Sequence, residues 1–444
     1  MMLARVQRRL LHAARCVGAA GSTNTTTTSD LLSIFSATED ATTLTSSPPQ
    51  QRSGSRSKQS KCRLAPTNPV EHGMADANSF FIVDRRDEPV VSDVFLKRRR
   101  RDEVRQQGFC SFLLRQSTMK VASIIDAQKD KAALPQVFLI GKDGHGKSTA
   151  LAYLSYRYWK EGWVVLPVSS GARWVLEPHY IDMSTYKPGR VDSTRDAITW
   201  LNSFFKLNSD RIADLKTTKK YTWLEGSHTT AVGTPLKELL SLIEEDDRSS
   251  ADIVGVIVKE LLAAKDRPNV LLAVDDMNGL FEPETSVLDE NFKPVNPEDM
   301  SLVRTFRKVF RNHSSLDRVG IVAATSTYSG VLADLNDETR TMLNMSHRLS
   351  SSTPSAAAAS SDGDGDGDEE AVVVDDARTV PSSLATSAYK IAYGIASDVE
   401  VTSFLDYHNS IGWCNMPSNA KTAKLLQSLS AGNLALLSNH LRAC

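Results

Sequence analysis

The chain has 444 residues, 41% of them hydrophobic, with 52 Lys and Arg against 53 Asp and Glu. That is apolar material for roughly two or three packed domains, and a net charge of −1 excludes a uniformly basic nucleic-acid binder, so phosphate contacts must come from local clusters. The 5 cysteines are scattered and form no C-x-x-C pair, which argues against a zinc framework or a disulfide scaffold, and no apolar run approaches the ~20 residues that cross a bilayer.

Residues 1–20 carry Arg5, Arg8, Arg9 and Arg15 and no acid, with Leu3, Val6, Leu10, Ala13 and Val17 on one helical stripe. This amphipathic, acid-poor character predicts a mitochondrial presequence. Residues 21–78 are dominated by Ser, Thr, Gln and Pro and predict a flexible extension, since such composition buries too little apolar surface to offset the entropy of ordering. Order is expected to begin near Phe80. The segment 79–134 mixes helical stretches with a basic run, Lys97-Arg98-Arg99-Arg100-Arg101. The run reads as an RNA phosphate contact, as a solvated surface, or as a nuclear-localisation-like patch.

A core over 135–345 opens with the strand Val137–Ile140 and the run Gly141-Lys142-Asp143-Gly144-His145-Gly146-Lys147-Ser148-Thr149. Its first eight positions satisfy G-x-x-x-x-G-K-[ST], the loop that cradles nucleotide phosphates. Gly141, Gly144 and Gly146 let the backbone curl so that amide groups converge, and the following helix adds its positive end. Lys147 is expected on the β and γ phosphates and Ser148 on Mg²⁺. Ala150–Lys160 has helical spacing, and Trp163–Val168 reads as a second buried strand, giving the β-α-β alternation of a mainly parallel sheet.

A helix is predicted over Asp252–Ala264, followed by the strand Val270–Val274, which ends in Asp275-Asp276. A buried strand carrying a carboxylate to its C-terminal edge supplies the metal side of a nucleotide site, here Asp275. Asp276 stands where a hydrolysing enzyme of the AAA type carries a water-activating glutamate, one methylene longer. The helix Met300–Asn312 has an apolar stripe and a basic one (Arg304, Arg307, Lys308, Arg311), open to RNA contact or to simple solvation. Val319–Ser326 reads as a further buried strand with hydroxyls at its tip, Ser326 being a candidate γ-phosphate sensor. Residues 346–379 form an acidic low-complexity insertion; Val373 stands where a calcium loop needs its bidentate Glu. Residues 380–444 predict a strand near Tyr389 and then helices.

The phosphate loop, the Leu271–Asp275 strand, Trp200-Leu201-Asn202-Ser203-Phe204, Tyr221-Thr222-Trp223, the block from Val254 to Leu261 and Leu429-Ser430-Ala431-Gly432-Asn433 together resemble the death-associated protein three family, GTP-binding proteins of the mitochondrial ribosome's small subunit. The resemblance implies an α/β AAA-like P-loop core with a C-terminal helical or winged-helix-like portion. It implies bound GTP or GDP with Mg²⁺, small-subunit rRNA and ribosomal proteins as neighbours, and residence in the mitochondrial matrix; contact with the large subunit stays open. It assigns the loop residues Gly144 to Thr149 to phosphate and metal. No Asn-Lys-x-Asp guanine-reading motif is present, so GTP over ATP follows from the resemblance alone. A structural protein with little or no hydrolysis is the leading expectation. The alternatives are an active AAA-type ATPase and a stand-alone GTPase switch in apoptosis.

Overall fold

The computed structural model describes residues 62–289, 291–326 and 388–443, which divide into a core, Leu64–Gly394, and a helical unit formed from Ile395 onward with residues 62–63. The expected presequence, the extension up to residue 61 and the acidic insertion lie outside the described residues. The core starts with strand β1 (Phe80–Ile82), helix α1 (Arg98–Gln107), strand β2 (Ser111–Leu113) and helix α2 (Gln116–Asp126). β1 and β2 pair antiparallel, Phe81 opposite Phe112. The chain packs earlier than Phe80: Leu64 bridges to Phe80, and buried His72 places Nδ1 2.7 Å from the Tyr153 hydroxyl. Composition hides this stretch because it is anchored by polar contacts as much as by apolar burial.

Strand β3 (Gln136–Ile140) leads into helix α3 (Lys147–Lys160), strand β4 (Val164–Val168) and the short helix α4 (Gly171–Leu176). Two small hairpins follow, β5 (Ile181–Met183) with β6 (Val191–Ser193), and β7 (Tyr221–Trp223) with β8 (His228–Thr230), separated by helix α5 (Thr194–Asn208). Period-2 alternation in them is too short to stand out from loop sequence. Helix α6 (Ser250–Ala263), strand β9 (Val270–Val274), helix α7 (Ser301–Arg311), strand β10 (Val319–Ala324) and strand β11 (Ala388–Ala392) complete the core.

Five strands form one parallel sheet in the order β11-β3-β10-β9-β4. β4, β9 and β10 are buried along their whole length, as a parallel sheet covered on both faces requires. Alternation along β3 sends Phe138 to the face covered by α5, α6 and α7, and Val137 and Leu139 to the face covered by α3 and the N-terminal elements. Each fully buried Leu or Val contributes about 2 kcal/mol. Pro167 is tolerated because β4 is an edge strand. Asn208 caps that edge, accepting from the Val165 amide at 3.0 Å and donating to its carbonyl at 2.9 Å. β10 lies between β3 and β9, so the loop after β3 and the acids after β9 flank its tip.

The expected strand near Tyr389 is β11, and it belongs to the core sheet, so the helical unit starts at Ile395 rather than at 380. That unit holds helices α8 (Asp398–Ser410), α9 (Ala420–Ser430) and α10 (Leu434–Ala443) around Val401, Leu405, Ala423, Leu426, Leu437 and Leu441. Ser397 and Glu400 form a reciprocal capping box on α8. Asn433 caps α10 by accepting from the amides of Ala435 and Leu436.

Candidate nucleotide site

The phosphate loop bends as its glycines demand. Gly141, Gly144 and Gly146 have φ of 147°, 81° and 90°, and α3 begins immediately at Lys147. The loop is braced from behind by β11. A Cβ on Gly141 would lie 2.3 Å from the Tyr393 carbonyl oxygen, the Tyr393 amide donates to the Ile140 carbonyl at 2.7 Å, and His145 Nδ1 is 3.0 Å from the same Tyr393 oxygen. Buried Arg115 donates to the His145 carbonyl at 2.6 Å. His145 thus faces the protein rather than a ligand, leaving its backbone to the loop. The Lys147 ammonium donates to the carbonyls of Gly141 (2.6 Å) and Lys142 (2.8 Å), which uses two of its three N–H groups and fixes where the third points. Burial lowers its pKa, against the pull of Asp143, Asp275 and Asp276 and with the push of Lys97. Lys142 and Asp143 are exposed, whereas Ser148 and Thr149 are half-buried on the first turn of α3.

Across from the loop, β9 delivers Asp275 and Asp276, both buried. The Ser148 side chain lies close enough to the Asp275 carboxylate to lower its pKa, which burial raises, so the two expected metal-side groups stand beside each other. Asp276 has a left-handed backbone, φ 51°, which turns its carboxylate back toward Ser170, whose hydroxyl donates to it at 2.6 Å. Sequence reasoning misassigned Lys97. Instead of facing RNA, its ammonium lies 2.9 Å from Asp275 Oδ2 and 3.0 Å from each oxygen of Asp276. Burial opposes the charge on Lys97, yet the two carboxylates hold its pKa above the ordinary lysine value. The ammonium, at the end of a side chain that is 41% exposed, is the counter-charge of the acid pair.

β10 ends at Ala324, so Ser326, expected as the strand's last residue, lies two positions beyond it. Buried Asn278 holds it there, accepting from the Ser326 amide at 3.0 Å and donating to its carbonyl at 2.9 Å. Asn278, Ser170, Tyr393 and Arg115 escaped sequence reasoning because each meets the loop or the acids through the fold rather than through a motif.

The other basic candidates separate. Arg100 is tied to Glu103 and the Ser111 carbonyl, and Arg99 lies 3.8 Å from Glu103, while Arg98 is exposed and Arg101 half-buried on α1. On α7, Arg307 is buried, 5.3 Å from the Phe281 ring and 3.2 Å from Glu298, so it cannot serve as an RNA contact in this conformation. Arg311 also pairs with Glu298, at 2.6 Å, whereas Lys308 is exposed. Among the described residues, no helix is long and apolar enough to cross a membrane.

The loop lysine, the helix N-terminus, Ser148 and Asp275 are groups of the kind that could hold a nucleoside polyphosphate with a divalent cation. The chain is similar to the mouse (Mus musculus) protein named small ribosomal subunit protein mS29, 26% identical over 252 residues, covering 56% of this chain and 64% of the relative. It is also similar to the bovine (Bos taurus) protein of the same name, 30% identical over 176 residues, covering 39% of this chain and 44% of the relative. The matched regions therefore span less than two thirds of these relatives. The model of the family described as Mitochondrial ribosomal death-associated protein 3 matches residues 112–440, from β2 through most of α10 and so across the whole central sheet, and the chain belongs to that family.

Proposed function

We propose that this chain is a structural component of the small subunit of the mitochondrial ribosome that retains a guanine nucleotide with Mg²⁺ in its phosphate loop, as an element of its own folding and assembly, with hydrolysis slow or absent. The relatives' shared name supports the subunit assignment, and matrix localisation follows with it, as does a neighbourhood of rRNA and small-subunit proteins. Guanine rather than adenine rests on the family resemblance.

The observation that carries the structural reading is the engagement of Asp276. Hydrolysis of the AAA type needs a carboxylate at this place free to activate water within hydrogen-bond reach. Both Asp276 oxygens accept from Lys97 and one also from Ser170, so the group is spent on positioning. Gly141 to Thr149 wrap the phosphates, Lys147 meets them with its remaining N–H, and Ser148 and Asp275 hold the cation. Mg²⁺, when bound, neutralises phosphate charge. Ser326, whose backbone Asn278 holds beyond β10, is the polar group we assign to the γ end.

Protein isolated from its source and denatured should release GTP or GDP, identified by ion-pair chromatography. On a salt-containing gradient it should migrate with the small mitochondrial subunit. An empty protein that migrates free overturns the proposal. Turnover faster than ~1 per second, abolished by Asp276→Asn, would instead mark an active ATPase.

A further inference from the structure

Outside the nucleotide site, a groove of about 560 Å³ opens between α6, α7, the β7 strand and the loop ahead of β6. Four cations line it, Arg190, Lys259, Arg304 and Lys308, against one acid, Asp252. They come from three separate parts of the chain. Arg190 and Lys308 have no side-chain hydrogen-bond or ion-pair partner among the described residues. Arg304 donates from Nη1 to the Glu298 carbonyl at 3.3 Å and lies 3.6 Å from the Glu298 carboxylate, while its Nε is buried without a partner. Lys259 sits 5.5 Å over the Tyr221 ring. Burial and then the repulsion of Arg304, Arg190 and Lys259 lower the pKa of Lys308 against the pull of Glu298, in keeping with their shared place on the groove wall. Such a cluster costs free energy until an anion enters it. Tyr186, 68% exposed, adds an open aromatic face at the rim.

We propose that this groove binds the phosphate backbone of a single-stranded segment of the small-subunit rRNA, with Arg190, Lys259, Arg304 and Lys308 on the phosphates and Tyr186 stacking a base. The inference rests on the subunit assignment for the identity of the RNA, but not on the phosphate loop. A single strand is favoured over a duplex because a cleft of this volume admits splayed nucleotides and not an A-form helix. RNA is favoured over an acidic peptide because successive phosphates present charge at the density that four convergent cations require and because a peptide offers no base for the exposed ring. The sequence flagged Arg304 and Lys308 among four helix cations; the fold drops Arg307 and recruits Arg190 and Lys259.

The test uses the full chain and fluorescence anisotropy with a labelled mixed-sequence oligoribonucleotide, followed from about 50 to 200 mM salt. Arg190→Glu with Lys308→Glu should weaken binding at least tenfold and flatten the salt slope by about 0.7 for each phosphate that the protein no longer neutralises. Arg190→Gln with Lys308→Gln, milder for folding, should do so in smaller measure, as should Lys259→Glu on the facing wall, while exposed Lys237→Glu should change nothing. Circular dichroism melts and chromatography of released nucleotide confirm that each variant is folded and loaded. Unchanged RNA affinity and salt slope in loaded, folded double variants would overturn the groove while leaving the nucleotide reading intact. Equal affinity for duplex RNA, or tighter binding of a polyglutamate peptide, would overturn the assignment of a single strand.

Discussion

The front of the sheet and the groove beside α7 both gather cations, and they treat them in opposite ways. At the loop, Lys97 is matched by two carboxylates and Lys147 by two carbonyls. In the groove, Arg190 and Lys308 stand among other cations with no ion pair among the described residues, only the more distant pull of acids such as Asp252 and Glu298. A matched ammonium holds its neighbours in place before any ligand arrives, whereas an unmatched cluster stores repulsion that only an incoming anion relieves. The first arrangement suits a nucleotide held as part of the fold, the second a partner that docks afterwards.

The most damaging change to the matched region is Gly141→Val. The backbone at φ 147° is foreign to a β-branched residue, and its Cβ would meet the Tyr393 carbonyl oxygen at 2.3 Å. Strain and overpacking together should cost about 4 kcal/mol or more, read as lost soluble yield or a collapsed chemical-denaturation midpoint. A protein of normal stability would mean that β11 does not brace the loop. Next comes Lys147→Ala, which keeps the fold but removes charge-assisted hydrogen bonds to phosphate. Nucleotide should bind at least a hundredfold more weakly, about 2.7 kcal/mol, and the nucleotide-dependent rise in Tm should vanish with it. Normal incorporation into the small subunit with an empty site would break the link between nucleotide and assembly.

How much of this was readable depends on how local each signal is. Gly141 to Ser148 and the strand ending in Asp275 are contiguous patterns whose geometry is dictated over a few residues, so the loop, the acid at the strand end and the parallel sheet followed from the chain alone. Lys97 did not: it sits in a run of five cations, and the acid that claims it lies 179 residues away. The same holds for Tyr393, which reaches the loop only because β11 pairs with β3, and for Arg190 and Lys259, which no helical period connects to α7. Charge runs report composition, and only the fold decides which member turns inward.

Lys97→Met sharpens the comparison by turning a matched site into an unmatched one. Asp275 and Asp276 would be left buried without their counter-charge. Removing one partner from a fully buried pair costs about 3–5 kcal/mol, and the partial exposure of Lys97 reduces this to about 2 kcal/mol. Thermal melts should show the loss in the nucleotide-free protein and its recovery as Mg²⁺ and GDP are added together. Loss without recovery would mean that Lys97 serves packing alone.

The smallest effect concerns a group that avoids charge altogether. Buried His313 places Nε2 2.7 Å from the Val319 carbonyl, and burial holds its pKa below the ordinary 6.5. The unfolded chain therefore takes up the proton first on acidification, so the stability tied to His313 is intact above about 6.5 and is lost as the pH falls through the folded value. Asp252 works in the other direction. Burial and then Asp192 push it up to about 7, so the fold gains stability as the pH drops through 7 and that carboxyl is protonated. Because the two contributions oppose each other, the wild-type melting curve alone does not isolate the histidine. The difference between wild type and His313→Asn, which keeps a donor for Val319 but has no proton to gain, does. Below about 6.5 the wild type should lose Tm faster than the variant, and equal slopes would show that the ring carries its charge within the fold.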